Sequence, residues 1–217
     1  LSEFDSKKML TAFGIPVPPA NVARSEEEAV QFAEEIGYPV VLKIDSAEIL
    51  HKSDVGAVML NIGCEKEVRE KYRQILINIK DKCPDAGYNG VLVQKMIPAG
   101  LEVIVGVSVD PQFGPMVLLG LGGVFVELFR DVVLYPAPFQ REEALEMIRS
   151  LRAPPLFYGY RGSPELDVDA LADTLVDIGR FAVAHRDELL EMDINPLFVY
   201  SKGNGVSAAD GLVVLRR

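Results

Sequence analysis

The stretch LEMDINPLFVYSKGNGVSAADGLVVL, residues 190–215, decides the fold. Ser201-Lys202-Gly203-Asn204 is a run of turn formers between two β-rich segments, Leu190 to Tyr200 and Gly205 to Leu215, so the stretch reads as a hairpin. If the chain turns on those four residues, Tyr200 faces Gly205. Counting back along both strands sets Asn195 directly across from Asp210, with Cβ atoms about 5 Å apart. Asp193, two residues earlier, shares that face. Two acids and an amide on one patch of sheet suit Mg²⁺, a hard cation that prefers oxygen ligands and keeps waters and phosphates in its shell. The competing reading is that Asn195-Pro196 marks a strand kink and Asp210 a turn.

Outward from the hairpin, helices and strands follow in a mixed order. Ser2 with Asp5 three residues on predicts a helix start, and Gly14 its stop. Ile15 to Pro19, the run IPVPP, is extended. Ser25 and Glu28 have capping-box spacing and open a second helix that runs to Gly37. Pro39 to Ile44 is a buried strand, apolar except for Lys43. A polar loop, Asp45 to Ala57, precedes a strand from Val58 to Ile62 and a charged helix from Glu65 to Lys82. From Val91 the chain turns β-rich, with strands over 91–96, 101–109, 115–120 and 124–134. Helices over 142–151 and 168–184 precede the hairpin. The pattern is α+β, two lobes of residues 1–90 and 91–217 with a seam near Gly90.

Composition narrows the function. The 217 residues carry a net charge of -10, which disfavours a nucleic-acid or anionic-membrane surface, since both need a positive field. Nucleotides stay open, because a few lysines and backbone N–H groups suffice. Cys64 and Cys83 have no CxxC spacing, so a disulfide framework or zinc site is not expected and a reducing cytoplasm is. No apolar run reaches the ~20 residues of a membrane helix. The first residue is Leu1 rather than Met, as expected of a trimmed chain or a domain cut from a longer one.

A nucleotide site, if present, is not a P-loop: no G-x-x-x-x-G-K-[ST] occurs, and Gly120-Leu121-Gly122-Gly123 has the wrong spacing. Lys43, a charge in an apolar strand, is costly to bury without a partner, and a phosphate is a suitable one; a lysine reaching to the rim is the plainer alternative. The loop with His51-Lys52-Ser53-Asp54 and Gly56 has donors that suit phosphates. Gln94-Lys95-Met96-Ile97 reads as a hinge whose backbone and apolar side chains suit adenine, with Glu102 placed for ribose hydroxyls. By itself that segment reads equally as a core strand.

The wording of five segments carries a resemblance. Gly37-Tyr38-Pro39-Val40-Val41-Leu42-Lys43, Leu50-His51-Lys52-Ser53-Asp54-Val55-Gly56, Gly120-Leu121-Gly122-Gly123-Val124-Phe125-Val126-Glu127, Gly159-Tyr160-Arg161-Gly162 and Glu191-Met192-Asp193-Ile194-Asn195-Pro196 together resemble the β subunit, or β-like domain, of NDP-forming acyl-CoA synthetases, relatives of the succinyl-CoA synthetase β subunit. The similarity runs over essentially the whole chain. It implies an ATP-grasp fold, in which two α+β lobes clamp the nucleotide, and a ligase reaction run through phosphohistidine. It implies Lys43 on the ATP phosphates, Gln94, Lys95, Met96 and Ile97 around adenine, and Glu102 on ribose. Gly122, Gly123 and Glu127 then line the phosphate end, and Asn195 and Asp210 bind Mg²⁺ with support from Asp193. CoA and one phosphorylated histidine belong to a partner, an α subunit or fused domain, while His51 stands where the acetyl-CoA branch carries a second histidine. His185 has no such context and reads as surface or core. Ala57 replaces a usual second glycine after Gly56, which stiffens the loop on this reading, and Tyr135 replaces a frequent arginine after Asp131. The alternatives are a non-catalytic regulatory ATP-grasp domain fused to an acetyltransferase and a carboxylate–amine ligase of the same fold.

Overall fold

The structure is a computed structural model that describes residues 1–49, 51–123 and 131–216. It divides into two compact units, one of Ser2–Asp5 and Pro18–Ile97, the other of Leu1, Ser6–Val17 and the chain from Pro98 onward.

In the first unit a four-stranded antiparallel sheet has the order β1 (Ala20–Ala23), β4 (Gly90–Lys95), β2 (Val40–Asp45), β3 (Val58–Ile62). Helices α2 (Glu26–Ile36) and α3 (Glu65–Lys82) pack on it. Ser25 caps α2 by accepting from Glu28 N, while Glu28 reaches back to Arg24 N, and Gly37 ends the helix with φ at 82°. The core gathers Ala29, Val30 and Ala33 of α2, Val68, Ile75 and Ile79 of α3, and Val40, Leu42 and Ile44 of β2. All six residues of β2 are buried, Lys43 and Asp45 included.

The seam differs from the one expected near Gly90. Strand β4 hydrogen-bonds to β1 on one side and β2 on the other, so it is central to the first sheet, and the unit ends at Ile97. Gly90 belongs inside that sheet: a Cβ there would lie 2.4 Å from the Ala23 carbonyl oxygen. Strand β1, which supplies the outer partner, is four residues of mixed polarity and has no signal of its own.

The second unit is a larger antiparallel sheet in the order β10 (Leu212–Leu215), β8 (Leu189–Val199), β5 (Leu101–Asp110), β6 (Gly114–Leu121), β7 (Val132–Pro136), with β9 (Val206–Ala208) also on β8. Helix α1 (Glu3–Ala12) straddles the division, with residues from Ser6 on in this unit. Helices α4 (Arg141–Ser150) and α5 (Val168–Ala184) complete it. Their buried residues, among them Met147, Ile148, Leu171, Leu175, Ile178 and Phe181, share a core with Val103, Val105, Val107, Val117 and Leu119 of the sheet. The alternation of buried valines along β5 is what one covered face requires. Of the strand expected over 124–134, residues 124–130 lie outside the described residues; the described part begins at Val132. No helix among the described residues is long and apolar enough to cross a membrane.

Candidate functional site

In the first unit the central residue is Lys43. It is buried, at 6 % exposure, and its Nζ lies 2.8 Å from Glu3 Oε1. The other carboxylate oxygen of Glu3 lies 3.0 Å from Lys52 Nζ. Glu3 thus joins a strand lysine to a loop lysine. Two residues along β2, Asp45 Oδ1 accepts from Phe4 N and Oδ2 from Asn89 Nδ2, which seats the first turn of α1. Glu3 escaped the sequence reading because an acid in the first turn of a helix is ordinary; only the structure shows that it is buried, as its neighbour Ser2 is.

The loop after β2 is a set of tight turns. Gly56 takes φ at 69°, its N–H donates to Ser53 O, and its carbonyl accepts from Asn78 Nδ2 of α3. Lys82 Nζ donates to Asp54 O. Ala57 is wholly buried in the core and donates to Lys52 O. Its methyl is therefore core packing at the end of the loop, while Gly56 supplies the left-handed backbone. His51 is exposed on this loop.

The hinge residues divide. Gln94 is buried in β4, with Ala20 opposite on one side and Val41 on the other. The Lys95 side chain folds back onto the end of α2. Its Nζ donates to Gly37 O at 2.7 Å and Tyr38 O at 3.0 Å, and its N–H donates to Pro19 O. The end of α2 leaves carbonyls without helical partners, and an ammonium group satisfies them. Met96 N likewise donates to Pro39 O. The Lys95 side chain and the N–H groups of Lys95 and Met96 are thus engaged within the first unit, and Ile97 is the last, half-buried residue of the unit.

In the second unit Glu102 opens β5. Its carbonyl accepts from Gly122 N at 2.7 Å, and a Cβ on Gly122 would fall 2.8 Å from Glu102 Cβ. Gly123 has φ at 59° and lies beside Glu102 Oε2. The structure brings these three together, and close approach is the reason for the glycine pair. Glu127 lies outside the described residues.

The tail hairpin has the register counted from its turn. Tyr200 N donates to Gly205 O. Leu197 pairs with Ala208, and beyond a gap Asp193 pairs with Leu212. The same register carried across the gap sets Asn195 level with Asp210. Met192 and Ile194 are buried, so Asp193 and Asn195 share the exposed face. The kink reading holds as well: against β5 the register of β8 slips between Val103 and Val105, a bulge at Asn195-Pro196. Although Asp193 keeps solvent contact, the surrounding protein partly desolvates its carboxyl and holds it above its ordinary range, and the charges of Asp210 and Glu191 push it the same way. Among the described residues no three His, Cys, Asp or Glu groups form a metal cage. Two acids with one amide instead fit Mg²⁺, which takes few protein ligands and keeps water and phosphate oxygens. Lys7, buried, fastens the gap by donating to Ala209 O at 2.8 Å, a role without sequence signal.

Two residues fall outside the site. Tyr135 of β7 lies opposite Val117 and packs against the core. His185 caps α5, its Nδ1 2.6 Å from Glu188 Oε1 and its ring against Phe13 and Phe181.

A buried strand lysine in one antiparallel sheet and an acid–amide hairpin in another define the class. The family model described as ATP-grasp domain matches residues 1–215, and the chain belongs to that family. The β subunit of acetate–CoA ligase [ADP-forming] I from Pyrococcus furiosus is 48% identical over 215 residues, covering 99% of this chain and 91% of that protein. Acetate–CoA ligase [ADP-forming] I of Archaeoglobus fulgidus is 47% identical over 91% of this chain, which matches 29% of that longer polypeptide. Among solved structures, dinucleotide-forming acetyl-coenzyme A synthetase 1 of Ca. Korarchaeum cryptofilum, in complex with coenzyme A, Ca-AMPCP and HgCl⁺, superposes with a TM-score of 0.95 at 47% identity, covering 100% of this chain and 93% of that one.

Proposed function

We propose that this chain is the ATP-grasp β subunit of an ADP-forming acyl-CoA synthetase of the acetate–CoA ligase kind. It works with an α subunit or fused domain that binds CoA, and it interconverts acyl-CoA, ADP and phosphate with carboxylate, CoA and ATP. The observation that carries the reading is the bridge from Lys43 through Glu3 to Lys52, because it joins a buried lysine to the loop that bears His51. Lys43 binds the phosphates, Gln94, Lys95, Met96 and Ile97 border the base, and Glu102 accepts from the ribose. Mg²⁺, held by Asn195 and Asp210 with Asp193 beside them, neutralises phosphate charge when bound. Phosphoryl transfer asks the protein mainly for positioning and charge neutralisation, which these residues provide. The imidazole of His51 takes the phosphoryl group and passes it to the partner. The cytoplasm suits this reaction, and Cys64 and Cys83 are free thiols.

Isothermal titration tests the nucleotide site. The chain with its partner is expected to bind Mg–ATP, and Lys43→Ala to weaken that binding by about tenfold or more, the worth of one charge-assisted contact. Wild-type affinity in folded Lys43→Ala protein would remove Lys43 from the site.

A further inference from the structure

Glu3 is the most buried carboxylate among the described residues of the first unit after Asp45, and no step of the reaction requires it. Its side chain is 1 % exposed, against 7 % for Lys43 and 11 % for Lys52. A single carboxylate so placed touches two ammonium groups that arrive from different elements, one from β2 and one from the following loop. It separates two like charges that lie largely out of water, where their repulsion is costly. One carboxylate lies between the two ammonium groups, 2.8 Å from one and 3.0 Å from the other. Asp45, the next acid on this face of β2, is held instead by Phe4 N and Asn89. Its charge is committed to seating the turn that carries Glu3.

We propose that Glu3 is a positioning residue for phosphate binding: it holds Lys43 and Lys52 together as one phosphate-directed pair. This rests on the reading of Lys43 as a phosphate ligand. Glu3 acts through the lysines and touches no reacting atom. Its loss therefore affects ligands in proportion to their phosphate content, which a purely structural role would not do.

The test compares Kd values for Mg–ATP and for adenosine in the complex with the CoA-binding partner. Glu3→Gln keeps the shape but can accept from only one lysine; it is expected to raise Kd for Mg–ATP about tenfold and to leave that for adenosine within about twofold. Glu3→Asp retains the charge with a shorter reach and should recover most of the lost affinity; if the Gln variant does not fold, the Asp variant carries the comparison, with a smaller loss confined to Mg–ATP. In a Lys43→Met background, Glu3→Gln should cost less than it does in the wild type, because only Lys52 is left for Glu3 to place. Unchanged or tighter Mg–ATP binding in folded Glu3→Gln protein overturns the proposal, as does an equal loss for adenosine. Should Lys43→Met bind Mg–ATP like the wild type, the phosphate reading of Lys43 falls and this proposal with it. If Lys43→Met loses affinity while Glu3→Gln does not, only the role of Glu3 is refuted.

Discussion

Asp193 and Asp210 gather negative charge beside the Asn195 amide on one face of a hairpin, and the cost is visible in Asp193, whose carboxyl is pushed up by partial desolvation first and by Asp210 and Glu191 second. Repulsion of this kind is relieved when a cation joins the groups, and Mg²⁺ is the cation whose ligand preferences match. Asp210→Asn keeps an oxygen that can accept from Gly211 N, as the carboxylate does at 2.9 Å, but removes one charge from the set. The expected outcome is a shift of about tenfold to higher Mg²⁺ in the concentration needed for half-maximal ATP synthesis. A Mg²⁺ titration coinciding with that of the wild type would exclude Asp210 as a ligand. At this scale the hairpin residues were legible because a turn of four polar residues fixes which side chains face each other. The place of the Lys95 side chain was not, since it caps α2, and the carbonyls that claim it belong to Gly37 and Tyr38, 58 and 57 positions away.

Helix α5 illustrates what a single cap can support. Burial alone would raise the Asp167 carboxyl, yet N–H donors from Gly205, Ala170 and Gly203 outweigh it and hold the group below its ordinary range. One carboxylate therefore both caps the helix and pins the tail turn. A folded-state pKa below the unfolded one means that the stabilisation is complete above the unfolded value, near 4, and is lost as pH falls through the lower, folded value. Asp167→Ala should cost about 2 kcal/mol at neutral pH from the lost cap and stranded donors. The melting temperature should fall by roughly 4–8 °C for a chain of this size. The gap between wild type and variant should close in acid; a gap constant from pH 7 to pH 3 would contradict the account. Elements such as α5 and α3 were legible from end to end because their apolar period and flanking residues agree. The seam was not, because whether β4 joins one sheet or the next depends on partners distant in sequence, and Gly90 to Lys95 are apolar enough for either. Helix α1 was found by its cap, but its polar residues Ser6 and Lys7 are buried because they serve the backbone of Val213 and Ala209, contacts no local pattern announces.

For the chain as a whole, the net charge of -10 poses a problem that the site must answer. ATP and ADP are anions, and a negative field repels them at long range, so the proposed site relies on short-range positive groups, Lys43 and Lys52 on this reading, and on Mg²⁺. Composition argues against a nucleic-acid surface but does not locate those groups; the order of motifs points to Lys43. The same logic bears on His51. It is exposed, on a loop whose turns are fastened to α3 by Asn78 and Lys82 and to Glu3 by Lys52. As a relay it attacks the γ-phosphorus of ATP: a phosphorus–nitrogen bond forms, the bond to the bridging oxygen breaks, ADP leaves and the imidazole proton is released. The group must then reach the partner, so the loop has to exchange one set of contacts for another, a motion common where flexible segments gate chemistry. His51→Asn removes the nucleophile without touching Lys43 or the metal ligands. It should leave Mg–ATP affinity within about twofold, since none of the charged phosphate contacts is lost. Acyl-CoA-dependent ATP synthesis by the complete complex should fall to background. Incubation with γ-labelled ATP should give an acid-labile, base-stable phosphoprotein in the wild type and none on this chain in the variant. If His51→Asn turns over at near wild-type rate with its partner present, the phosphoryl group passes by another route, and His51 is a loop residue with no part in the relay.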